Sequence, residues 1–414
     1  MYSNTTNLRL MAAALAIALV IAGCSKKSSV TGPNTASNSA TIYLDSTQQI
    51  IRGFGAANII GAGWRPDMTT SEVQIAFGVG PGQLGFTILR LRISPDSTDF
   101  SMNIPTAKLA NSMGVTIIAT PWTPPAWMKS NNSTIGGTLN TSAYAAYAAH
   151  LKAFADTMSN GGVSLYAISV QNEPDANVSY ESCFWNATQF LNFVKNNASS
   201  VGVPIFMPES ESFNHQFSDS TLDDPVAAAN VAFIGGHLYG ASPSPYSLAL
   251  SEGKEVWMTE YLVLDTTWSA VLGTAKSIND CMNSNMSAYI WWYIVRYYGP
   301  INESGIVTPR GYVMSQFAKF VRPGFHRVSA RANPQTDVYV TAYKNGSKVV
   351  IVALNMGSSS LSQTFTIQSG TVSSLTPYVT SSVKNCVEGN NIAVSNGGFT
   401  VTLDASSVTT LVSN

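Results

Sequence analysis

Short apolar runs alternate with longer amphipathic segments through residues 50–322. The runs are rich in β-branched residues, whereas the segments between them, such as Ser142–Asp156, repeat apolar positions at helical spacing. Continuous apolar strands that alternate with helices are typical of a parallel sheet buried on both faces. The predicted strands are Ile50–Phe54, Phe86–Ile93, Val115–Thr120, Tyr166–Gln171, Pro204–Met207, Phe233–Leu238, Glu255–Thr259 and Ser287–Tyr293.

Eight such strands over roughly 270 residues match the size of a (β/α)8 TIM barrel, so we predict an α/β fold with a barrel over residues 50–322. A doubly wound open sheet is the alternative. No Gly-x-Gly-x-x-Gly follows the first strand, which argues against that alternative.

After residue 322 the pattern changes to short strands separated by Ser, Thr and Gly. Asn345-Gly346, between two apolar runs, is a hairpin turn signal. We therefore predict a side β-sandwich domain over residues 323–414. Pro377 would place its own strand at an edge of this domain, because proline cannot donate to a ladder. Residues 40–49 are expected to add an N-terminal strand to the same domain. The predicted C-terminal strands are Asp337–Tyr343, Lys348–Leu354, Leu361–Ile367, Val372–Val379 and Gly398–Leu403.

The N-terminus has the pattern of a targeting segment. Arg9 precedes the apolar run Leu10–Ala22, which is too short to span a bilayer comfortably. Ile21-Ala-Gly-Cys24 resembles a bacterial lipoprotein cleavage box, so residues 1–23 are predicted to be a signal peptide and Cys24 the lipidation site. Residues 24–39 would form a flexible tether. These features indicate a secreted or cell-surface bacterial lipoprotein that contacts a membrane only through Cys24. An ordinary signal peptide with a chance cysteine is the alternative.

Composition narrows the range of partners. The formal net charge is −1, with 11% charged and 45% hydrophobic residues, so no basic field exists to gather nucleic acid. The four histidines show no metal-ligand spacing, and we expect neither a metal nor another cofactor. The low charge suits an extracellular enzyme acting on a neutral polymer, and a monomer is expected.

Two glutamates follow predicted barrel strands at their carboxyl ends, where barrel chemistry lies. Ser169-Val-Gln-Asn-Glu173 ends the fourth strand and Trp257-Met-Thr-Glu260 ends the seventh. Such a pair can hydrolyse a glycosidic bond, one carboxylic acid protonating the leaving oxygen while the other carboxylate attacks or activates water. The acid must keep its proton until it donates, and the nucleophile must be ionised. The alternative is that each glutamate only forms a structural ion pair. The other carboxylates near strand ends, Asp175, Glu209 and Glu211, are interpreted as supporting hydrogen-bond residues.

Several motifs across the mature chain resemble glycoside hydrolase family 30, and within it the subfamily 8 glucuronoxylan xylanases. The resemblance implies a barrel with a side β-domain and a retaining endo-β-1,4-xylanase, with Glu173 as acid/base and Glu260 as nucleophile. Xylan polysaccharide would be the substrate. The motifs are Arg52–Gly55, Pro121–Met128, Tyr166–Asp175, Gly236–Tyr239, Trp257–Glu260, Trp291–Pro300, Phe320–Gly324 and Val338–Leu354.

The resemblance also implies substrate contacts. Asn172 matches an asparagine that hydrogen-bonds the sugar 2-hydroxyl, and Tyr239 a tyrosine near the nucleophile. His237 lies in the same motif and could orient these neighbours. Trp122 and Trp292 end strands, where an indole can stack on a sugar ring or simply pack in the core.

In subfamily 8 an arginine after the eighth strand binds the carboxylate of a 4-O-methylglucuronic acid branch, and Arg296 and Tyr298 fall at the matching positions. Guanidinium suits a carboxylate because it can bind it bidentately. An ion pair with Glu303 is the alternative role for Arg296. Two departures from the family pattern are present: Val295 replaces a first arginine, and Asp265 lies in a segment that usually supplies a tyrosine and a serine.

Three functions are therefore compared. The first is a glucuronate-directed endoxylanase. The second is a family 30 hydrolase acting on unsubstituted xylan or another β-glycan without glucuronate dependence. The third is a non-catalytic lipoprotein that only binds glycans, which the presence of both glutamates argues against.

Overall fold

The computed structural model describes residues 38–61 and 63–414. The predicted signal peptide, the lipidation site Cys24 and nearly all of the predicted tether lie outside these residues. The described α-helices are α1 Thr70–Phe77, α2 Ile104–Ser112, α3 Tyr144–Asn160, α4 Ala187–Asn197, α5 Gln216–Leu222, α6 Pro225–Ala229, α7 Ser247–Ser251, α8 Trp268–Asn283 and α9 Pro309–Ala318.

The described strands form two sheets. They are β1 Ala40–Ile50, β2 Gly53–Asn58, β3 Ile88–Ile93, β4 Thr116–Pro121, β5 Leu165–Ser169, β6 Ile205–Ser210, β7 Val231–His237, β8 Glu255–Glu260, β9 Met286–Tyr293, β10 His326–Ala330, β11 Val338–Asn345, β12 Lys348–Asn355, β13 Leu361–Gln368, β14 Ser374–Ser381, β15 Lys384–Glu388, β16 Ile392–Ala393, β17 Gly398–Leu403 and β18 Ser407–Ser413.

Strands β2 to β9 are parallel and close into a barrel, which confirms the predicted (β/α)8 fold. Closure is made by β2, which pairs with β3 on one side and β9 on the other. The prediction for this first strand was displaced: it is Gly53–Asn58, not Ile50–Phe54. Its sequence is rich in small residues because the neighbouring strand approaches closely; a Cβ at Gly55 would lie 1.9 Å from the carbonyl oxygen of Ile88.

The other ten strands form one curled sheet beside the barrel. Its order is β15-β14-β18-β12-β11-β10-β1-β13-β17, with β16 paired to β14. Strand β1 lies inside this sheet, antiparallel to β10 and parallel to β13. The inward side chains form their own apolar core, which includes Ile42, Val340, Ile351 and Phe365.

Pro377 does not lie in an edge strand, contrary to the prediction. Strand β14 runs between β18 on one side and β15 and β16 on the other. Pro377 opposes Leu411 of β18, while its carbonyl accepts from Gly389 on the opposite side. The proline nitrogen, which carries no hydrogen, therefore faces the gap between β15 and β16, so no hydrogen bond of the sheet is lost there.

Strand β12 joins the two parts of the molecule because both of its faces are buried. Val349, Ile351 and Ala353 point into the core of the side sheet. Val350 and Leu354, on the other face, join the main apolar core of the barrel. Alternating side chains thus bury an almost continuous apolar run on two different surfaces.

Helices α8 and α9 lie between the barrel and the side sheet. The indole of Trp268 at the start of α8 donates to the carbonyl of Ser406, 2.9 Å away. The hydroxyl of Thr410 in β18 donates to the carbonyl of Gln316 in α9 at 2.8 Å. The sheet therefore covers one flank of the barrel and leaves the strand ends open. No helix in the described part of the chain is both long and apolar enough to cross a bilayer.

Candidate active site

The carboxyl ends of the barrel strands surround an open cleft of about 670 Å³. Both predicted catalytic glutamates open into it, together with aromatic side chains from the loops around them. The lining residues are Gly63, Trp64, Trp122, Glu173, Tyr180, Glu181, Glu211, Tyr239, Glu260, Leu262, Trp292, Tyr293 and Arg296.

Glu173 and Glu260 face each other in this cleft. Glu260 is the last residue of β8, and Glu173 lies four residues beyond the end of β5. One carboxylate oxygen from each, together with a ring nitrogen of His237, lie within 4.8 Å of one another. Both glutamates are about 95% buried. The two carboxylates are therefore close enough to act on one sugar residue.

The backbone is strained at two of the site carboxylates. Glu173 has φ of 42° and Glu209 has φ of 54°, a left-handed conformation uncommon for residues with a Cβ. The N–H of Glu173 donates to the carbonyl of Glu209 at 3.0 Å. This hydrogen bond joins the loop after β5 to the end of β6 at the site.

Arg90, in the middle of β3, is the centre of the charge cluster. Its guanidinium donates to Glu260 at 2.6 Å and to the Asn172 amide oxygen at 2.8 Å, and it pairs with Glu209 at 3.1 Å. It is fully buried, and its face lies 4.9 Å from the Trp122 ring centroid. Arg90 therefore fixes the nucleophile candidate, the neighbouring amide and a supporting carboxylate together.

Sequence reasoning missed Arg90, although the sequence carries a signal for it. The strand reads Ile88-Leu-Arg-Leu-Arg-Ile93, which puts two arginines at alternate positions in an apolar barrel strand. Side chains alternate with period two, so Arg90 and Arg92 point to the same face of the strand. Buried charges are almost always paired, so this pattern predicts acidic partners inside the barrel.

His237 lies between the carboxylates and is fully buried. Its Nδ1 is 2.9 Å from Glu173 Oε1, and its Nε2 is 3.5 Å from Glu209 Oε1. Burial lowers the pKa of His237, but the charge of Glu260 and the hydrogen bonds to Glu173 and Glu209 outweigh it and raise the pKa to about 10. The imidazole is therefore a cation at neutral pH.

Glu209 is the supporting carboxylate beneath the pair. Burial raises its pKa, but Arg90 and His237 more than compensate and lower the pKa to about 2. It also accepts a hydrogen bond from Thr120 at 2.9 Å. Glu209 thus stays ionised and holds the two cations in place.

Glu260 has a partner on each oxygen. Oε2 pairs with Arg90, and Oε1 accepts from the Tyr239 hydroxyl at 2.8 Å. Burial raises the pKa of Glu260; the charges of His237 and Arg90 oppose this rise, and Glu173 adds to it. Burial and the carboxylate also raise the pKa of Tyr239 well above its usual value, so its hydroxyl remains a donor.

Three tryptophans form one wall of the cleft. Trp122 directly follows β4, and Trp292 is the next-to-last residue of β9. Their ring centroids are 5.7 Å apart. Trp64, which sequence reasoning missed, lies 5.8 Å from Trp122 and 6.3 Å from Trp292. It sits in the loop after β2, where no periodic pattern marks a functional aromatic. Arg92 lies 5.7 Å from its ring centroid and pairs with Glu181 across the cleft wall.

Arg296 lines the cleft, whereas Tyr298 does not. The guanidinium of Arg296 lies 4.7 Å from the Tyr293 ring centroid, and it forms no salt bridge within residues 38–61 and 63–414, with Glu303 or any other acid. Tyr298 is 8% exposed and packs in the apolar cluster of Trp122, Trp292 and Tyr293. Burial raises the pKa of Tyr298 to about 12.

The remaining acidic residues near the site have separate positions. Asp175 accepts from the Ser210 hydroxyl at 2.6 Å and from the Glu211 N–H at 2.9 Å, which ties the loops after β5 and β6 together. Burial and the neighbouring Glu173 raise the pKa of Glu211, which lines the cleft. Asp265 is exposed and accepts from the N–H of Thr267, away from the cleft.

The grouping of Glu173, His237 and Glu260 could in principle supply metal ligands, since their donor atoms lie within 4.8 Å of one another. However, Arg90 and Tyr239 already occupy the oxygens of Glu260, and Glu173 and Glu209 face the two His237 nitrogens. A cation there would have to compete with the Arg90 guanidinium. The arrangement is better suited to a network of paired charges that holds the carboxylates in place.

Comparison with known proteins identifies the family. Residues 89–276 match the family model of the glycosyl hydrolase family 30 TIM-barrel domain. Glucuronoxylanase XynC of Bacillus subtilis (strain 168) is 41% identical over 394 residues, which cover 92% of this chain and 92% of that protein.

Two solved structures agree with this match. The glycoside hydrolase family 30 subfamily 8 xylanase Xyn30A of Clostridium acetobutylicum superposes with a TM-score of 0.87 at 41% identity, covering 91% of this chain and 100% of the other. A GH30 endoxylanase of Clostridium papyrosolvens C71 superposes with a TM-score of 0.84, also at 41% identity and with the same coverage. With this identity over nine-tenths of its length, the chain is a glycoside hydrolase and belongs to glycosyl hydrolase family 30.

Proposed function

We propose that this chain is a retaining endo-β-1,4-xylanase that hydrolyses glucuronoxylan, with Glu173 as acid/base and Glu260 as nucleophile. The approach of these two carboxylates, with oxygens within 4.8 Å, carries the proposal. Retaining glycosidases place the two groups about 5–5.5 Å apart, whereas inverting enzymes leave about 6.5–9.5 Å for a water molecule. The short separation favours double displacement.

In the first step an oxygen of Glu260 attacks the anomeric carbon while Glu173 gives its proton to the leaving glycosidic oxygen. The glycosidic bond breaks and a glycosyl ester forms on Glu260. In the second step Glu173 takes a proton from water, whose oxygen attacks the same carbon and releases Glu260. Arg90 and Tyr239 hold the nucleophile oriented through both steps.

The contacts of the charge cluster distinguish the two glutamates. Two cations, Arg90 and His237, face the three carboxylates of Glu173, Glu209 and Glu260. Glu209 and Glu260 both pair with Arg90, whereas Glu173 contacts His237 and, at 3.4 Å, the hydroxyl of Tyr180. We therefore assign Glu260, which Arg90 and Tyr239 hold in place, as the nucleophile, and Glu173 as the acid/base.

The names of the relatives support xylan as the substrate: a glucuronoxylanase in Bacillus and xylanases in two Clostridium species. The tryptophan wall is consistent with stacking on the rings of a neutral sugar chain. Trp122 and Trp292 are expected to contact the sugars nearest the catalytic pair, and Asn172, held by Arg90, to meet a hydroxyl of the sugar at the nucleophile.

Arg296 is proposed to bind the carboxylate of the 4-O-methylglucuronic acid branch. It lines the cleft, carries a charge without an acidic partner among the described residues, and rests on the Tyr293 ring. A planar guanidinium free of intramolecular carboxylates can bind an incoming one bidentately. Tyr298 would act indirectly, by packing beneath this segment.

Product analysis tests two parts of the proposal: the catalytic role of Glu260 and the binding of the branch by Arg296. Digestion of methylglucuronoxylan should give products cut at a fixed position relative to the branch, and Glu260→Ala should abolish almost all turnover. Arg296→Ala should lose the fixed position while keeping activity on linear xylan, whereas the surface control Lys152→Ala should change neither. Products of the unmodified enzyme that ignore the branch would remove Arg296 as its reader. Full turnover in Glu260→Ala would end the catalytic assignment of Glu260, and absence of turnover in the unmodified protein would favour a binding protein.

A hydrolase that cuts unsubstituted xylan without needing the branch is the second candidate. In the segment after Glu260, Leu262 lines the cleft, while Asp265 and its threonine neighbours are exposed elsewhere. This side of the cleft therefore offers an apolar contact where a hydroxyl would help to bind a glucuronate. Equal rates on linear and substituted xylan would favour this candidate.

We also propose that the enzyme is exported and anchored by a lipid on Cys24, from the cleavage box Ile21–Cys24 alone. Metabolic labelling with a fatty acid should mark the unmodified protein and leave Cys24→Ser unlabelled. Labelling of both proteins, or of neither, would contradict the anchor.

A further inference from the structure

We propose that a shallow groove around Trp127 is an accessory binding site for the polysaccharide chain, outside the catalytic cleft. This inference rests on the proposed function, because it assumes that the substrate is a polymer of neutral sugars. The groove has a volume of about 630 Å³ and lies over the loops that follow β3 and β4. The functional assignment of the Pro121–Met128 motif uses Trp122 and leaves Trp127 without a role.

Trp127 is the most exposed tryptophan of the described chain, with 67% of its surface accessible. It does not stand alone, since Pro95, Pro125 and Ala126 continue the apolar surface around it. An exposed apolar patch with a polar border is typical of a recognition site rather than of ordinary surface. Here the border is formed by Asp96, Ser97, Asn132 and Thr134.

The turn that carries Trp127 is fixed in place. Ala126–Met128 form one turn of 3-10 helix after two prolines, and Met128 and Lys129 are each 3% exposed. The carbonyl of Met128 accepts from the N–H of Asn140 at 3.0 Å. The indole is thus presented on a rigid backbone, so little conformational entropy is lost when a ligand stacks on it.

The turn that carries Trp127 is tied to the segments that line the cleft. The ammonium of Lys129 donates to the Thr123 hydroxyl at 2.8 Å and to the Ser182 carbonyl at 2.6 Å. Ser182 directly follows Glu181, which lines the cleft. Trp127 is five residues from Trp122, so their Cα atoms are at most about 18 Å apart. The groove therefore lies close enough to the cleft for one polymer chain to reach both.

The chemistry of the groove fits an uncharged sugar chain. The indole offers a large, rigid apolar face on which the C–H face of a sugar ring can stack. The amide of Asn132, the hydroxyl of Thr134 and the carboxylate of Asp96 can exchange hydrogen bonds with sugar hydroxyls. No salt bridge in the described chain involves Asp96, so its oxygens face solvent beyond its own turn.

The test compares Trp127→Ala with the matched control Tyr43→Ala, which removes a 42% exposed aromatic from the side sheet. Trp127→Ala should raise KM for polymeric xylan about five- to tenfold, the loss expected for one stacked aromatic. Activity on short xylo-oligosaccharides that fill only the cleft should stay the same. Tyr43→Ala should behave as the unmodified enzyme on both substrates.

A binding experiment distinguishes failure of the accessory site from failure of the proposed function. Glu260→Gln and the double variant Glu260→Gln/Trp127→Ala are mixed with insoluble xylan, a β-1,6-glucan and cellulose, and the bound fraction is measured. The double variant should release the polymer that Glu260→Gln retains. Equal binding of both variants to every polymer, or equal KM values for Trp127→Ala and Tyr43→Ala, overturns the accessory site. Binding through Trp127 to another polymer, together with neither binding nor hydrolysis of xylan, would keep the site and refute the xylanase assignment instead.

Discussion

At the scale of single residues, the site is a cluster in which charges are buried only because they are paired. Arg90 and Glu209 are both fully buried, and Arg90 also pairs with Glu260. Removing one partner of a buried pair leaves an uncompensated charge, which costs more than the pair itself contributes. Stability and catalysis therefore depend on the same side chains.

Arg90→Met should destabilise the fold by about 3–5 kcal/mol and abolish turnover, because Glu209 and Glu260 would lose their common cation. Denaturant unfolding and initial rates on xylan measure the two effects. Arg92→Met is the matched control on the same strand; its partner Glu181 has a side chain 21% exposed and can be hydrated. A variant at Arg90 that is as stable and active as the one at Arg92 would contradict the role of the cluster.

His237 should make stability depend on pH. Its pKa of about 10 in the folded protein is above the usual value near 6.5, so its contribution is fully present below pH 6.5 and is lost as the pH rises through 10. The melting temperature should therefore fall between pH 6.5 and 10 more steeply in the unmodified protein than in His237→Gln. NMR titration of the imidazole checks the cause, and a midpoint near 6.5 would rule it out.

The sequence pointed to the two glutamates because Glu260 ends one barrel strand and Glu173 follows another closely, where the barrel rule applies directly. It also grouped Asn172, His237 and Tyr239 near them. Trp64 could not be found this way, because its position depends on how an irregular loop folds back over the strand ends. The contrast between Arg296 and Tyr298 was equally hidden, since residues two apart in a loop need not face the same side.

At the scale of elements, β12 shows how one strand can serve two cores. Its odd-numbered residues enter the side sheet and its even-numbered residues enter the barrel core. An apolar run of this kind reads as a strand buried on both faces, which is normally the mark of a parallel sheet. Here the strand is antiparallel, and its second face is buried in the main apolar core.

Ile351→Ala and Leu354→Ala should each cost about 2–5 kcal/mol, although they face different cores. Both side chains are fully buried, so each truncation leaves a cavity. Val383→Ala, at a position 87% exposed, should change the free energy of unfolding by no more than about 0.5 kcal/mol. Denaturant titrations of the three variants give the comparison. A neutral Leu354→Ala would show that the barrel and the side sheet do not share this surface.

Local patterns predicted most of the elements, and the exceptions have specific causes. The first barrel strand lacks β-branched residues because Gly55 must approach Ile88 closely. Pro377 led to the prediction of an edge strand because the residues around it in sequence do not show how β14 is paired. On the side away from β18, the pairing of β14 is interrupted between β15 and β16. Strand propensity describes the average preference of a residue type. The conformation and pairing at these two positions are determined instead by residues that are distant in sequence but adjacent in space.

At the scale of the whole molecule, β1 connects the two halves of the side sheet. It is the strand between β10 and β13, so β13 and β17 are attached to the rest of the sheet through it. Ser39 just before it also bonds the Thr366 hydroxyl at 3.0 Å. The side domain therefore consists of segments from both ends of the described chain, with the barrel between them.

A protein that begins at Arg52 should consequently be insoluble or melt well below one that begins at Asn38, although it keeps every barrel strand. Loss of β1 exposes the pairing edges of β10 and β13 and part of the core around Phe365. Calorimetry and solubility after expression provide the measurement. Equal melting temperatures for the two proteins would show that β1 is dispensable.

The position of β1 also has a consequence for the order of events during biosynthesis. The ribosome makes this strand near the beginning, but its partner His326–Ala330 emerges about three hundred residues later and Leu361–Gln368 later still. Contacts that join such distant segments form slowly, and an early unpaired strand is a target for aggregation until they do. The nascent enzyme thus carries an unsatisfied β-strand through most of its translation, and a chaperone that shields this segment should raise the yield of folded protein.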